Sequence, residues 1–407
     1  MIRLLSAPWV LLGAPAQRGE APVALRDGAV ALDGDLVVAV GPAAALADRF
    51  GPAERLEAVL LPALVNAHLH LELSHLAGAV PGGHGLPAWI EAFVRARSAA
   101  DGARTAPAMA RAAAELTESG VAAVGDVSNT LDSLEPLAAA GLAGTVFHEV
   151  FGSAPGRLAA AREAARARRA TVPAGGPLRV VESPHAVYST DPAGLLELLD
   201  GPPASLHLAE DPAERELVAT GGGPFAALRA RMGGPDAAPW ARSAVALAAP
   251  HLGAGWLAVH VVDLDEADLA ALAACGATAV LCPRSNSHIS GAVPPLPRLL
   301  AAGLPLAIGT DSLASSPSLA PLAELAALHA AFPAVPPGAL LPLAWNGAAV
   351  GAPGVGRLVP GAAPGLLAAP LHGARVEDPF AFLVTGPAPF GRRVEWLARH
   401  RPEVQRS

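Results

Sequence analysis

Between residues 59 and 310, short apolar runs alternate with Ala-, Leu- and Arg-rich stretches. The apolar runs fall at 59–65, 121–125, 144–150, 178–182, 204–208, 258–262, 278–282 and 305–309. Runs of this length, rich in Val, Leu and Ala, are the pattern of strands buried on both faces. The stretches between them, including 106–118, 157–169, 192–199 and 264–274, read as helices. Eight strands, each followed by a helix, predict a parallel (β/α)8 barrel of the TIM type. The chain ends have another texture. Residues 29–40 turn at Asp33-Gly34, which predicts a hairpin. After about 350 the short-strand texture returns, with strands expected at 380–384 and 393–397. The expected architecture is α/β: a barrel over 59–350, and a small β-sandwich domain built from 1–58 and 351–407.

The ends of the strand-like runs carry the chemistry. His68 and His70 close the first run. Residues i and i+2 of a strand share a face, so the two imidazoles can grip one metal ion. Such pairs also arise by chance. Here, however, His185, His207, Glu210, His260 and Asp311 each lie at or just past the end of a later run. That is where a (β/α)8 barrel places its active site. A set of histidines and one aspartate is nitrogen-rich and suits Zn2+ or Fe2+. Glu210 can exchange a proton with a metal-activated water, or serve as a helix N-terminal acid before Asp211-Pro212. His260 reads as a further ligand, a hydrogen-bond partner of that water, or a core histidine. Glu72 suits a contact to a ribose or an amine, or a strand-end ion pair. Trp89 reads as a pocket wall or a core aromatic. Arg284 and Asn286 suit substrate polar groups or loop orientation.

Composition narrows the classes. With 407 residues, 52% of them hydrophobic and 16% charged, the chain can bury a large core. Its formal charge is −8 and no basic stripe appears, so a nucleic acid is not an expected partner. There is no lysine, and all 28 basic residues are arginine. This excludes a Schiff-base lysine, a P-loop lysine and a carboxylated lysine bridging two metals. Cys275 and Cys282 make neither a disulfide framework nor a thiolate zinc site, and a cytoplasmic setting is expected. Residues 1–17 have the outline of a signal peptide, but Pro8 breaks a short apolar stretch and a strand is the preferred reading. No run approaches the ~20 apolar residues of a membrane span.

Taken together, His68-x-His70, His207 with Glu210, His260 and Thr310-Asp311-Ser312 resemble the amidohydrolase superfamily. The stretch Cys282-Pro-Arg-Ser-Asn286, followed by Gly309-Thr-Asp-Ser312, resembles its deaminase and chlorohydrolase branch. Ser183-Pro-His185-Ala-Val-Tyr188 resembles the substrate-contacting segment of deaminases of S-adenosylhomocysteine and related nucleosides, which implies substrate contacts by His185 and Tyr188. Residues 66–74 resemble the 6-amino-6-deoxyfutalosine deaminases of the futalosine route to menaquinone. The resemblance implies one divalent metal per chain, zinc before iron, held by His68, His70, His207 and Asp311. It implies Glu210 and His260 as the proton-handling pair, Asp311 as a further catalytic group, and a small nucleoside as substrate. The rivals are a deaminase of S-adenosylhomocysteine, adenosine or guanine, a chlorohydrolase, and a metal-binding scaffold without turnover. Two positions depart from the family pattern: Pro364 in Ala363-Pro-Gly, and Val187 where a proline is common.

Overall fold

The computed structural model of the chain describes residues 1–15, 20–235, 238–386, 391 and 393–400. The N-terminal part contributes β1 (Ile2–Leu11), β2 (Ala24–Asp33), β3 (Leu36–Pro42), β4 (Glu54–Arg55) and β5 (Ala58–Pro62). The middle contributes β6 (Leu64–Leu69), β7 (Val121–Ser128), β8 (Ala143–Val150), β9 (Leu178–Pro184), β10 (Ser205–Leu208), β11 (Leu257–His260), β12 (Thr278–Leu281) and β13 (Leu306–Ile308). The C-terminal part adds β14 (Leu366–Pro370) and β15 (Glu395–Ala398).

Both chain ends share one sheet, in the order β15-β14-β5-β1-β2-β3, with β4 paired to β1. The signal-like run therefore contains β1, while its Ala16 and Gln17 lie outside the described residues. The hairpin β2–β3 turns at Asp33-Gly34, with Gly34 at φ 60°. Alternation along β1 sends Leu5, Ala7 and Val10 into one apolar cluster and Leu4 into another, which is closed by Leu46 of the helix Ala43–Phe50.

The middle strands form two four-stranded parallel sheets, β6-β7-β8-β9 and β10-β11-β12-β13. Single parallel bridges join their edges, Leu69 with Asp311 at one seam and Ala186 with His207 at the other. At the second seam Pro184 has no N–H to give. The Ser183 hydroxyl works there instead, donating to the Ser205 carbonyl at 2.5 Å and accepting from the Ser205 amide at 3.1 Å.

Two segments differ from the sequence reading. The run 59–65 is not one strand: it breaks at Ala63, so β5 belongs to the terminal sheet and β6 begins the parallel set. Residues 380–384, expected as a strand, lie in the helix Pro379–Val384. Asp378 caps it by accepting from the amides of Phe380 and Ala381, and Pro379 opens its first turn. This Asp-Pro start signal outweighs the apolar run that follows.

The seam between β6 and β13 is drawn tight. The His68 carbonyl accepts from the amides of Thr310 (2.9 Å) and Asp311 (3.1 Å), and the Asn66 side-chain amide donates to the Thr310 hydroxyl at 2.8 Å. Gly309 permits that approach, because a Cβ there would stand 2.7 Å from His68 Cβ and 2.9 Å from the His68 carbonyl oxygen. Gly309→Ala should therefore force β6 and β13 apart and destabilise the chain by about 1–3 kcal/mol, the usual cost of overpacking. Thermal unfolding checks this. A midpoint equal to that of the parent would mean that the seam has slack.

Candidate metal centre and active site

The seven residues His68, His70, His185, His207, Glu210, His260 and Asp311 converge at the C-terminal ends of the parallel strands. His68 lies in β6 and His70 just beyond it, with a register shift between Asn66 and Leu69 against β7. A bulge of this kind re-aims side chains near a strand end. His207 lies in β10, His260 ends β11, and Asp311 follows β13. Ala209, His260, Val261 and Asp311 all have positive φ, at 53°, 77°, 46° and 58°. Left-handed backbone is costly for residues with a Cβ, most of all for β-branched Val261. Cross-strand bonds hold it in place: Val261 donates to the Leu208 carbonyl at 3.1 Å, and Val262 and Asp263 both donate to the Ala209 carbonyl at 2.8 Å.

The imidazoles pack ring to ring. His68 stands edge-on to His70 and to His207, each at 4.9 Å between centroids, and His207 stacks on His260 at 5.4 Å. His70 Nε2 and His207 Nε2 are 3.2 Å apart, and Asp311 Oδ1 lies 3.5 Å from His70 Nε2 and 3.9 Å from His68 Nε2. The other Asp311 oxygen is tied back by the hydroxyls of Ser285 (2.5 Å) and Ser315 (3.0 Å). His207 Nδ1 is held by the His185 carbonyl at 2.9 Å, which leaves Nε2 for the cluster. Both ring nitrogens of His68 are buried without a hydrogen-bond partner.

This arrangement fits a divalent cation. Donors at zinc's bond length of about 2.0–2.1 Å in a tetrahedron stand about 3.3 Å apart, close to the His70–His207 and His70–Asp311 separations. The protonation states agree. Burial, then the neighbouring imidazoles, pushes His68 well below its ordinary value. Burial pushes His70 down to about 3 against the opposing pull of Asp311, and likewise His260 to about 3 and His185 to about 4. Burial alone would raise Asp311, but His70, His260 and the Ser285 bond outweigh it and hold it below the usual carboxylate range. Neutral imidazoles and an ionised carboxylate are the forms that ligate metals.

Glu210 Oε2 lies 3.6 Å from His260 Nε2, while the Asn286 amide sits 3.1 Å from His260 Nδ1. Burial, reinforced by Asp311, Glu214 and Asp211, pushes the Glu210 carboxyl well above its ordinary range. A cavity of about 650 Å³ opens from this cluster. Tyr188 and Trp89 wall it, Tyr188 stacked on Phe225 at 4.1 Å and Trp89 on Phe93 at 5.4 Å. His185 also lines it, its Nδ1 2.6 Å from the Ser189 hydroxyl.

Glu72, Arg284 and Asn286, singled out in the sequence for substrate contact, do not line this cavity. Glu72 is buried, and its carboxylate accepts from Ser128, from the amides of Asn129 and Thr130 and from the Thr130 hydroxyl, so it fastens the loop after β7. Arg284 turns behind the site to Ser318 (2.9 Å) and Glu324 (3.5 Å). Its neighbours Ser285 and Asn286 reach Asp311 and His260, because successive residues of the helix Pro283–Ser290 face about 100° apart. Sequence reasoning missed Glu149. It ends β8 in the cavity, and its Oε1 is buried without a hydrogen-bond partner, 3.9 Å from His207 Nδ1. Its one signal was its place at a strand end.

A parallel α/β scaffold with a histidine–aspartate cluster at its strand ends is the layout of a hydrolase site that could hold a metal. The chain belongs to the amidohydrolase family, whose model matches residues 59–349. It is 33% identical over 353 residues to aminodeoxyfutalosine deaminase of Deinococcus radiodurans, covering 79% of this chain and 80% of the relative. It is 29% identical over 361 residues to a 5-methylthioadenosine/S-adenosylhomocysteine deaminase of Nitratidesulfovibrio vulgaris, covering 83% and 78%. Its fold is shared with Helicobacter pylori aminofutalosine deaminase in complex with methylthio-coformycin, at a TM-score of 0.82 and 22% identity over 97% of each chain.

Elemental analysis of protein prepared without chelator should give one divalent metal per chain. His68→Ala should lose most of it, since His68 sits at the middle of the ring cluster. Two tightly held metals per chain would overturn the mononuclear reading.

Proposed function

We propose that this protein is a metal-dependent hydrolytic deaminase of aminopurine nucleosides, with 6-amino-6-deoxyfutalosine as its preferred substrate. The observation that carries the reading is the donor set His68, His70, His207 and Asp311, faced by the buried Glu210 at the inner end of a nucleoside-sized cavity. In the same reading the parallel sheets close into a (β/α)8 barrel over 59–350. Residues 1–58 and 351–407 make the small domain, and the enzyme works in the cytoplasm. The sequence relatives at 33% and 29% identity support the substrate class, since both are nucleoside deaminases.

The four donors would hold one ion, and zinc would suit their nitrogen-rich set. When bound, the ion supplies Lewis acidity that lowers the pKa of the attacking water. Glu210 takes up that water's proton at its carboxylate and gives it to a ring nitrogen of the purine. His260, 3.6 Å from Glu210, holds the nucleophile and assists loss of ammonia from the carbon that carried the amine. His185 and Tyr188 position the base. Burial raises the Tyr188 hydroxyl well above its ordinary value, so it acts as a neutral donor. Trp89 walls the sugar side. Glu72 shapes the site through the loop at 128–130, and Arg284 through Glu324.

Glu210→Gln keeps the size of the side chain but cannot cycle a proton. It should lower kcat by ~10²–10⁴-fold, the usual contribution of a general acid–base group, while the metal content stays at the parental level. A near-parental kcat would reduce Glu210 to a helix-end carboxylate. The Nitratidesulfovibrio relative favours a second reading, deamination of S-adenosylhomocysteine or methylthioadenosine. A panel followed by ammonia release separates the two. The first reading expects a higher kcat/KM for 6-amino-6-deoxyfutalosine than for S-adenosylhomocysteine, methylthioadenosine or adenosine, with guanine and triazines poor. A clear lead for S-adenosylhomocysteine would select the second.

A further inference from the structure

The cavity has two chemically distinct ends. The inner end is the metal cluster with Glu210 and His260. The outer end is lined by Phe93, Leu228 and Met232, and by Arg95, Arg97 and Arg231. Three arginines at one mouth are unexpected in a chain of formal charge −8. Arg231 is paired with Glu91, but among the described residues neither Arg95 nor Arg97 makes an ion pair. Arg97 is also placed by the helix Leu86–Ala99. Trp89, Phe93 and Arg97 are spaced by four residues, so they follow one another along one helical face. The stacked rings of Trp89 and Phe93 thus lead from the cavity wall to a guanidinium. The Trp89 indole N–H on that wall is buried without a partner. The Arg97 charge is also felt within the cavity, where it partly offsets the burial that raises Glu149.

We infer that the outer half of the cavity binds an apolar substrate arm that ends in a carboxylate, with Arg97 as its counter-ion and Arg95 flanking it. The inference rests on the deaminase reading and deepens it. 6-Amino-6-deoxyfutalosine carries such an arm, a carboxyphenyl ketone on the 5′ side of the ribose. Methylthioadenosine has a 5′ substituent with no charge. The aryl ring has Phe93, Leu228 and Met232 to pack against, and the planar guanidinium offers two parallel donors to the carboxylate. Arg97 is a specificity residue in this account, remote from the reacting atoms.

The test is the ratio of kcat/KM for 6-amino-6-deoxyfutalosine to kcat/KM for methylthioadenosine, in metal-loaded parent and in Arg97→Met. A hydrogen-bonded ionic contact contributes roughly 1.5–3 kcal/mol, about 10–100-fold. The ratio should fall at least fivefold in Arg97→Met, through KM rather than kcat, and Arg97→Lys should recover part of it. A fall of less than fivefold overturns the inference. Should Arg97→Met not fold, the parent alone decides, by its preference for the carboxylate substrate over the methyl ester of that carboxylate; a preference below fivefold overturns the inference too. Failure of the parent reading is visible separately, because it would appear as no ammonia release from any nucleoside by the unaltered protein.

Discussion

Imidazoles packed ring to ring in a buried place set the terms for this molecule. His68, His70, His207 and His260 share a space where a proton on any one is opposed by burial and by its neighbours. Four aromatic nitrogen bases with their lone pairs converging are costly to hold together without a cation, because buried polar atoms need partners. His68, fully buried with neither nitrogen hydrogen-bonded, is the clearest case. The strand ends around the cluster accept unfavourable backbone at Ala209, His260, Val261 and Asp311 to aim these groups inward. Strain of this kind at functional sites is sustained by the well-bonded structure around it.

The scaffold supplies precision through its seams. At one, Asn66, Thr310 and the His68 carbonyl lock β6 to the segment after β13, so the two parts of the donor set that are farthest apart in sequence become neighbours. At the other, Ser183 replaces the hydrogen bond that Pro184 cannot give, and the His185 carbonyl fixes the orientation of His207. A second layer of side chains then orients the first: Ser285 and Ser315 on Asp311, and Asn286 on His260. Such outer partners tune ligands as much as the ligands tune the ion.

Much of this was legible in the sequence because strand ends are marked by where apolar runs stop. His68, His70, His207, Glu210, His260 and Asp311 could be found by that rule alone, with no partner known for any of them. The rule says nothing about which way a side chain turns. Arg284 was singled out over Ser285 because charge draws the eye, yet in a helix the next residue faces elsewhere, and it is Ser285 that meets Asp311. Glu72 stands beside the histidine pair in sequence, but the last residue of β7 and the loop after it supply four donors that sequence distance conceals. The split at Ala63 was hidden because two consecutive buried strands in different sheets form one unbroken apolar run. Residues 380–384 read as a strand by hydrophobicity, although Asp378-Pro379 carried the helix start.

The acidic side of the site answers the imidazole side. Glu210 is buried near Asp311, Glu214 and Asp211, and its backbone amide donates to the Glu214 carboxylate at 3.0 Å. Burial pushes Glu214 itself up to about 8. Burial of such a grouping in a low dielectric raises the proton affinity of Glu210 and Glu214, while imidazoles and serine hydroxyls lower that of Asp311. Carboxylates at one centre are thereby shifted in opposite directions, one toward the ionised form that ligates a cation and the other toward proton exchange. That separation is what acid–base chemistry at neutral pH requires. It follows from where the chain buries each group: Asp311 lies among imidazoles and serine hydroxyls, whereas Glu210, though 3.6 Å from His260, is also close enough to Asp311, Glu214 and Asp211 to feel their charge.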